Sequence, residues 1–554
     1  MTRLRIRGGH VIDPANGVDG VADVWIVDGR VAPAPDDPGI RADRTIDARG
    51  FVVMAAGVDV HCHIAGTKVN AARAMRPEDY RGSAMPRAEG GRSGVLGGVP
   101  STFTTGAKYA GLGYGTAVDA AIAPLGARPA HHEFRDTPII DKAFLVLMGN
   151  HHYVLERVRD GDRDRLKAFI AWMLGATRGF GVKVVNPGGI ERWKQGYGNV
   201  STLDDVVEHF GVTPRQILGE LARAVDELGL PHPVHLHGQN LGLPGNWATT
   251  LETMKVIDGH RAHLAHIQFH SYGGDPGNLA AFDSQVAPLA EYLDAHKNLT
   301  VDVGQVMFGS TTSMTADAAV GQYLHKVTGR KWLSHDVELE TGCGVVPITY
   351  EDKNAVHALQ WAIGLEWYLR VSDPWQVAMS TDHPNGGSFL AYPQIIALLM
   401  DRGHRNDTLQ RLPDRVRARS GLGDLSREFS LSEIAIITRA GPARMLGMAH
   451  KGHLGVGADG DVTIYAPDDD KERMFSLPRY LIKAGEIVLD DGDLRTWPEG
   501  RTLHADPEAD TDAEPDIHAF LAKRSSIRPG NFPMTDAELT NPKAVACRPG
   551  GTPA

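Results

Sequence analysis

The chain has 554 residues, 42% of them apolar, and a formal net charge of -11. That length and composition support a large buried core and more than one domain, while an acidic balance with interspersed Lys and Arg argues against nucleic acid as the main partner. The three cysteines, Cys62, Cys343 and Cys547, are too few and too scattered for a disulfide framework or a thiolate zinc site, and they fit a reducing compartment. The N-terminal MTRLRIRGGHVIDP lacks the apolar run of a secretion signal. No later stretch approaches the roughly 18 apolar residues of a membrane span, so the reading is a soluble cytoplasmic protein with no membrane partner.

Residues 2 to 53 read as short strands, LRIRGGHVID, VADVWIVDGRV and RTIDARGFVVM, with Asp28-Gly29 suited to a tight hairpin turn. The pattern returns in KGHLGVGADGDVTIYAP and RYLIKAGEIVLDDGDL. Residues 1–54 and 441–500 are therefore expected to pair into one small β-sandwich domain. Between them, apolar strands such as KAFLVLMG, GVKVVN, PVHLHG, AHLAHIQF, LTVDVGQV and WQVAMSTD alternate with helical patterns such as DRLKAFIAWMLGAT and PRQILGELARAVDELG. This predicts an α/β fold, a (β/α)8 TIM-like barrel with insertions over residues 55–440. A doubly wound sheet is disfavoured because no Gly-rich phosphate fingerprint follows the first strand. The Gly/Pro-rich segment from Arg76 to Gly115 and the charged stretch from Asp401 to Arg427 read as insertions lying over the catalytic face. Residues 501–554 open on the acidic, Pro-containing ADPEADTDAEPD and are expected to form an extended tail laid on a partner subunit.

In GVDVHCHIAG, His61 and His63 are two apart on a predicted strand, so both imidazoles share one face while Cys62 takes the other. Two histidines so placed can share a metal ion, although the same spacing also occurs in ordinary half-buried strands. GVKVVNPGG sets Lys183 inside an apolar strand. An ammonium there is costly unless it is paired, snorkels to the strand end or is neutral. A neutral amine can add carbon dioxide to form a carbamate, a bidentate anionic ligand able to bridge two cations. PVHLHGQNLG offers His235 and His237, AHLAHIQFHSYGG offers His263, His266 and His270, and VAMSTDHPNGG ends an apolar strand on Asp382 with His383 and Asn385 behind it. Polar groups at the ends of successive strands are what a barrel enzyme places in its active site.

The ordered series of H-x-H, Lys, His, His and Asp resembles the amidohydrolase superfamily. Its barrel carries H-x-H after strand one, a lysine carbamate after strand four, histidines after strands five and six, and an aspartate after strand eight. The segment from Gly441 to Tyr465 is similar to that superfamily's return to its β domain. Carried over, the resemblance implies metal ligation by His61, His63, Lys183, His235, His266 and Asp382. His235 is taken over His237 because the family's strand-five histidine directly follows the apolar run. The longer motifs GGHVIDPANG, GVDVHCHIAGTKVNAARAMRPEDYR, HLHGQNLGLPGNW, HIQFHSYGG and STDHPNGGSF resemble the A subunits of formylmethanofuran dehydrogenases and of bacterial formyltransferase/hydrolase complexes.

That closer resemblance implies a pair of zinc ions bridged by N6-carboxylated Lys183, with Asp382 as the catalytic proton shuttle. The implied reaction hydrolyses the N-formyl group of formylmethanofuran or methylofuran to formate and free amine. The implied partners are a formyltransferase and further subunits of a hetero-oligomeric complex. Asn240, His270, His383 and Asn385 stand as candidates for orienting ligands or touching substrate, while Arg73, Arg76 and Asp79 carry no assigned role. The competing readings are a subunit of a tungsten or molybdenum dehydrogenase working toward formate fixation, a cyclic-amide hydrolase of the hydantoinase or dihydroorotase kind, and a scaffold that has lost catalysis.

Overall fold

Strands from the two ends of the chain hydrogen-bond into a single nine-stranded sheet. The computed structural model describes residues 2–548 apart from 38, 81–83, 86–93, 96, 258, 276–277, 279–280 and 336–342. The seam of the sheet is Val52–Ala55 running antiparallel to Val462–Tyr465, with Ala55 opposite Val462. Ile6, Ile26, Val53, Ile464 and Ile482 fill a common core beneath it. The hairpin turn falls at Asp28 and Gly29, with φ of 47° and 80°, and Val27 pairs with Arg30 across it. Positive φ at both central residues is what a two-residue hairpin turn demands, which is why Asp-Gly suits the position.

The centre of the molecule is an eight-stranded parallel sheet. In chain order its strands are β1 (Gly57–Cys62), β2 (Tyr114–Ile122), β3 (Asp141–Leu147), β4 (Gly181–Val185), β5 (Val234–His237), β6 (Ala262–Leu264), β7 (Leu299–Asp302) and β8 (Val377–Ala378). Each pairs with the next, and the barrel closes where Cys62 bridges His383 in parallel and the His63 amide donates to the His383 carbonyl at 2.7 Å. Strands β3, β4 and β5 are buried at every position, as strands enclosed by helices must be. Strand β2 had no counterpart in the sequence reading. In its YGTAVDAAI the β-branched Thr116, Val118 and Ile122 are diluted by Gly115, Ala117, Asp119, Ala120 and Ala121, so the usual strand signal is weak although all nine residues are buried.

The insertion that covers the carboxyl ends of the strands follows β7. Gly309–Thr315 pairs antiparallel with Cys343–Tyr350, which pairs in turn with Leu333–His335, and the helix Ala318–Thr328 packs on this small sheet. This cap is seated on the helix Thr67–Met75 through Val69, Ala72, Met314 and Val345. The segment from Arg76 to Gly115 lies partly outside the described residues. Its described part includes Arg76, whose Nη1 donates to the Thr311 carbonyl of the cap at 2.6 Å.

The stretch from Asp401 to Arg427 does not cover that face. It forms the helices Arg402–Arg411 and Asp414–Arg419. Arg405 donates to the Leu398 carbonyl and Arg427 to the Val371 carbonyl, at the last turns of Tyr392–Met400 and Ala355–Arg370. A helix that follows a parallel strand runs back antiparallel to it, so these last turns lie at the opposite end of the barrel. Charge alone carried no information about which end a helix pair would cover.

Residues 501–548 fold onto the chain's own barrel instead of extending away from it. Leu503–Asp506 pairs with Lys543–Ala546, and the helix Glu514–Arg524 buries Ile517 and Leu521 against the helix Arg163–Thr177. The acidic run that suggested a tail is only the linker between these parts. The apolar residues behind it join the main core. Among the described residues no helix is long and apolar enough to cross a membrane.

Candidate metal centre

Strand β1 delivers His61 and His63 to the inside of the barrel, and both Nε2 atoms lie 3.0 Å from the same oxygen, Oδ1 of Asp382. Alternation along the strand sends Cys62 outward, where its thiol donates to the Val118 carbonyl. Each imidazole is backed by a buried carboxylate. His61 Nδ1 donates to Asp302 Oδ2 at 2.9 Å, and His63 Nδ1 lies 3.5 Å from Asp119 Oδ1. Asp119 is fixed in turn by the Ile64 and Ala65 amides and by Lys68 Nζ at 3.1 Å. Burial pushes the Asp302 and Asp382 carboxyls up, yet the facing histidines outweigh it and hold both well below the usual range. The same pairing raises His61 to about 9 in spite of its burial. Two buried carboxylates thus demand positive charge at this spot, which a metal cation supplies as well as a proton.

Lys183, His237 and His266 complete the floor of the cavity that holds His61, His63 and Asp382. Lys183 is 1% exposed and its Nζ makes no hydrogen bond. Burial lowers its amine to about 8 against the opposing pull of Asp382 and Asp302. Burial holds His266 well below its ordinary value, so the ring is neutral and able to coordinate, and its donor atom, one of His61 and one of Asp382 lie within 4.8 Å of one another. Lys183 Nζ and His266 Nδ1 are both buried without a hydrogen bond. Leaving such groups unmatched costs about 1–3 kcal/mol each. A donor set of neutral imidazoles, a carboxylate and an amine that can become a carbamate fits a pair of borderline divalent cations.

The strand-five position departs from the expectation. His237 lines the cavity and His235 does not. Lys183 and His235 pair in register, but His235 lies under His61, its Nε2 3.1 Å from His61 Nδ1 and its Nδ1 2.9 Å from His232 Nε2. Both of its ring nitrogens are therefore committed. A second grouping of His61, His235 and Asp302 meets metal-ligand spacing, but His263 Nε2 and Ser380 also bond Asp302, which leaves a closed polar cluster below the cavity. Three carboxylates at Asp141, Asp459 and Asp461 are likewise closed, because Lys451 bonds all three and Lys483 bonds Asp141 and Asp461.

Of the lesser candidates, Asn385 lines the cavity, its Nδ2 donating to Asp382 Oδ1 at 3.0 Å and its Oδ1 accepting from the Met314 amide of the cap. His270 is stacked on His266 with ring centroids 5.3 Å apart. His383 contributes its carbonyl to barrel closure, and Asn240 donates to the Ser201 carbonyl in a loop. Arg73 pairs with Glu133. Sequence reading missed Asp119, Asp302, Asp317 and Lys68. Asp119 and Asp302 each stand alone in an apolar strand, the same cost signal that picked out Lys183.

The cavity has a volume of about 270 Å³, polar at its floor and walled above by Leu241, Phe269, Met314, Ile348 and Tyr350. It suits a small polar group presented on an apolar or aromatic stem.

The amidohydrolase family profile matches residues 44–489. The protein FwdA of Methanocaldococcus jannaschii is 43% identical, with 96% of each chain covered. A subunit of the formyltransferase/hydrolase complex Fhc of Methylorubrum extorquens is 42% identical over 98% of this chain and 99% of its own. The crystal structure of the FhcABCD complex from that organism, in complex with methylofuran, superposes with a TM-score of 0.93 at 40% identity, covering 99% of this chain and all of the matched one.

Proposed function

The chain belongs to the amidohydrolase family, and from that premise we propose that it is the subunit of a formyltransferase/hydrolase complex that cleaves the N-formyl group of a formylated furan amine to formate and free amine. The observation that carries this reading is the convergence of His61, His63 and Asp382 beside Lys183, His237 and His266 on the floor of one cavity. A match along nearly the whole length to a subunit of such a complex supports the substrate and the partners. A cyclic-amide hydrolase would need no such match, and a decayed scaffold would not retain the full donor set.

In this reading His61, His63 and Asp382 would hold one zinc ion and His237 and His266 the other, with Lys183 as its carbamate supplying a further anionic ligand. His237 takes the place first given to His235. When bound, the two cations would bring a water's pKa near neutrality and polarise the formyl carbonyl. Asp302 and Asp119 keep the His61 and His63 imidazoles turned toward the site. Asp382 uses Oδ2, the oxygen not bonded by Asn385, to take the proton of the attacking water and return it to the departing nitrogen. Protonation is needed because an amide nitrogen leaves poorly as an anion. The cap wall excludes water from the reacting carbonyl and holds the furan stem.

Formate release from formylated furan amine by the complex purified with its partners tests the reading directly. Stoichiometric formate and amine are expected, and no release from the zinc-loaded complex would overturn it. The two full-length relatives are nearly equally similar, so the partners identify the physiological direction. A formyltransferase co-purifying without tungsten or molybdenum places the chain in hydrolysis, and an iron-sulfur dehydrogenase places it in formate fixation.

A further inference from the structure

Three cavity-floor histidines have a carboxylate behind them, and the third carboxylate comes from outside the barrel strands. Asp302 backs His61 from the end of β7, and Asp119 backs His63 from β2. His237 faces Asp317, which stands at the start of the cap helix Ala318–Thr328, with Nε2 and Oδ2 3.6 Å apart. Asp317 is fully buried. Its Oδ1 caps the helix by accepting from the Val320 amide, whereas Oδ2 has no hydrogen-bond partner, and neither has His237 Nε2. Two buried, complementary and unmatched atoms face each other across the junction between barrel and cap.

We propose that Asp317 is a positioning residue for His237, so that the cap supplies part of the metal centre as well as covering it. The inference rests on the binuclear reading above. With Nε2–H directed at Asp317 Oδ2, the proton is fixed on that nitrogen and Nδ1 is the one left for a cation. A carboxylate behind a coordinating imidazole sets its tautomer and raises its basicity, and removing such a partner typically costs about ten- to a hundredfold in metal affinity. Asp302 and Asp119 are built into the barrel and act wherever the cap lies. Asp317 belongs to the cap, so affinity at the His237 and His266 side depends directly on the cap being seated, whereas the cap reaches the His61 and His63 side only through Asn385, which holds Asp382.

The test uses two substitutions that keep a helix cap, Asp317→Ser and Asp317→Asn, because Ser, Asn and Asp serve comparably at that position. Neither presents a second carboxylate oxygen to His237. In Asp317→Asn, with the oxygen capping Val320, the amide faces Nε2 and favours the wrong tautomer. Zinc content and the rate of zinc loss to a chelator are measured on the complex, with thermal midpoint as the folding check. The expected result is a wild-type midpoint in both variants, one zinc lost at least about tenfold faster than in wild type, and the other retained. Wild-type zinc retention in either folded variant would overturn the proposal, as would equal loss of both ions. A wild-type complex that binds no zinc would defeat the binuclear reading itself, which separates the two failures.

Discussion

Asn385 shares an oxygen of Asp382 with the two histidines: its Nδ2 donates at 3.0 Å to the same Oδ1 that lies 3.0 Å from Nε2 of both His61 and His63. Because its own Oδ1 accepts from the Met314 amide, the same side chain ties that carboxylate to the cap. Asn385→Ala should lower kcat by about ten- to a hundredfold with both cations retained, since it frees the orientation of the proton-carrying group without removing a ligand. Asp382→Asn should abolish turnover while metal stays bound. Steady-state kinetics and metal analysis of the two variants check this, and wild-type kcat in Asp382→Asn would remove Asp382 from the mechanism.

Loading of metal-free protein should depend on bicarbonate and on pH through Lys183. Only the neutral amine adds carbon dioxide, and burial lowers this amine to about 8. At constant dissolved carbon dioxide the loading rate should rise with pH up to about 8 and then level off, falling roughly tenfold for each unit below it. Lys183→Arg, which cannot form the carbamate, should fail to load at any pH. Zinc uptake that is indifferent to bicarbonate would contradict the carbamate.

A buried histidine far from the cavity gives a stability prediction with a defined sign. Burial lowers His131 to about 4, against the raising effect of its bond to the Thr177 carbonyl. The unfolded chain protonates this residue near the ordinary value of about 6.5. Its contribution is therefore present above 6.5 and is lost as the pH falls from there to about 4, for a total of about 3 kcal/mol. Thermal midpoints measured across that window should fall less steeply in His131→Gln than in wild type.

Ile517→Ala and Leu521→Ala should each destabilise the isolated chain by about 2–5 kcal/mol, the usual cost of emptying a fully buried aliphatic site. An extension that only met a partner would leave the isolated chain unchanged. Thermal or denaturant unfolding of the single chain decides between the two.

The barrel was legible because strands enclosed by helices read as apolar runs, and several residues that line the cavity because Lys183, His61 and Asp382 are costly in or beside such runs. Strand β2 was not, since its Ala and Gly residues carry no strand preference although burial selects them. Alternation could not tell in advance that His237 rather than His235 lines the cavity. Residues two apart share a face, so alternation cannot say which one reaches the strand end and the cavity. The place of Asp317 beside His237 was out of reach as well, because it depends on a cap whose fold brings residues far apart in sequence together.

The most direct test of the central claim is the metal content of the complex purified without chelators. About two zinc ions per copy of this chain are expected, in keeping with a two-cation hydrolytic site, and their loss from Lys183→Arg. A wild-type preparation that releases formate while holding no divalent metal would contradict it.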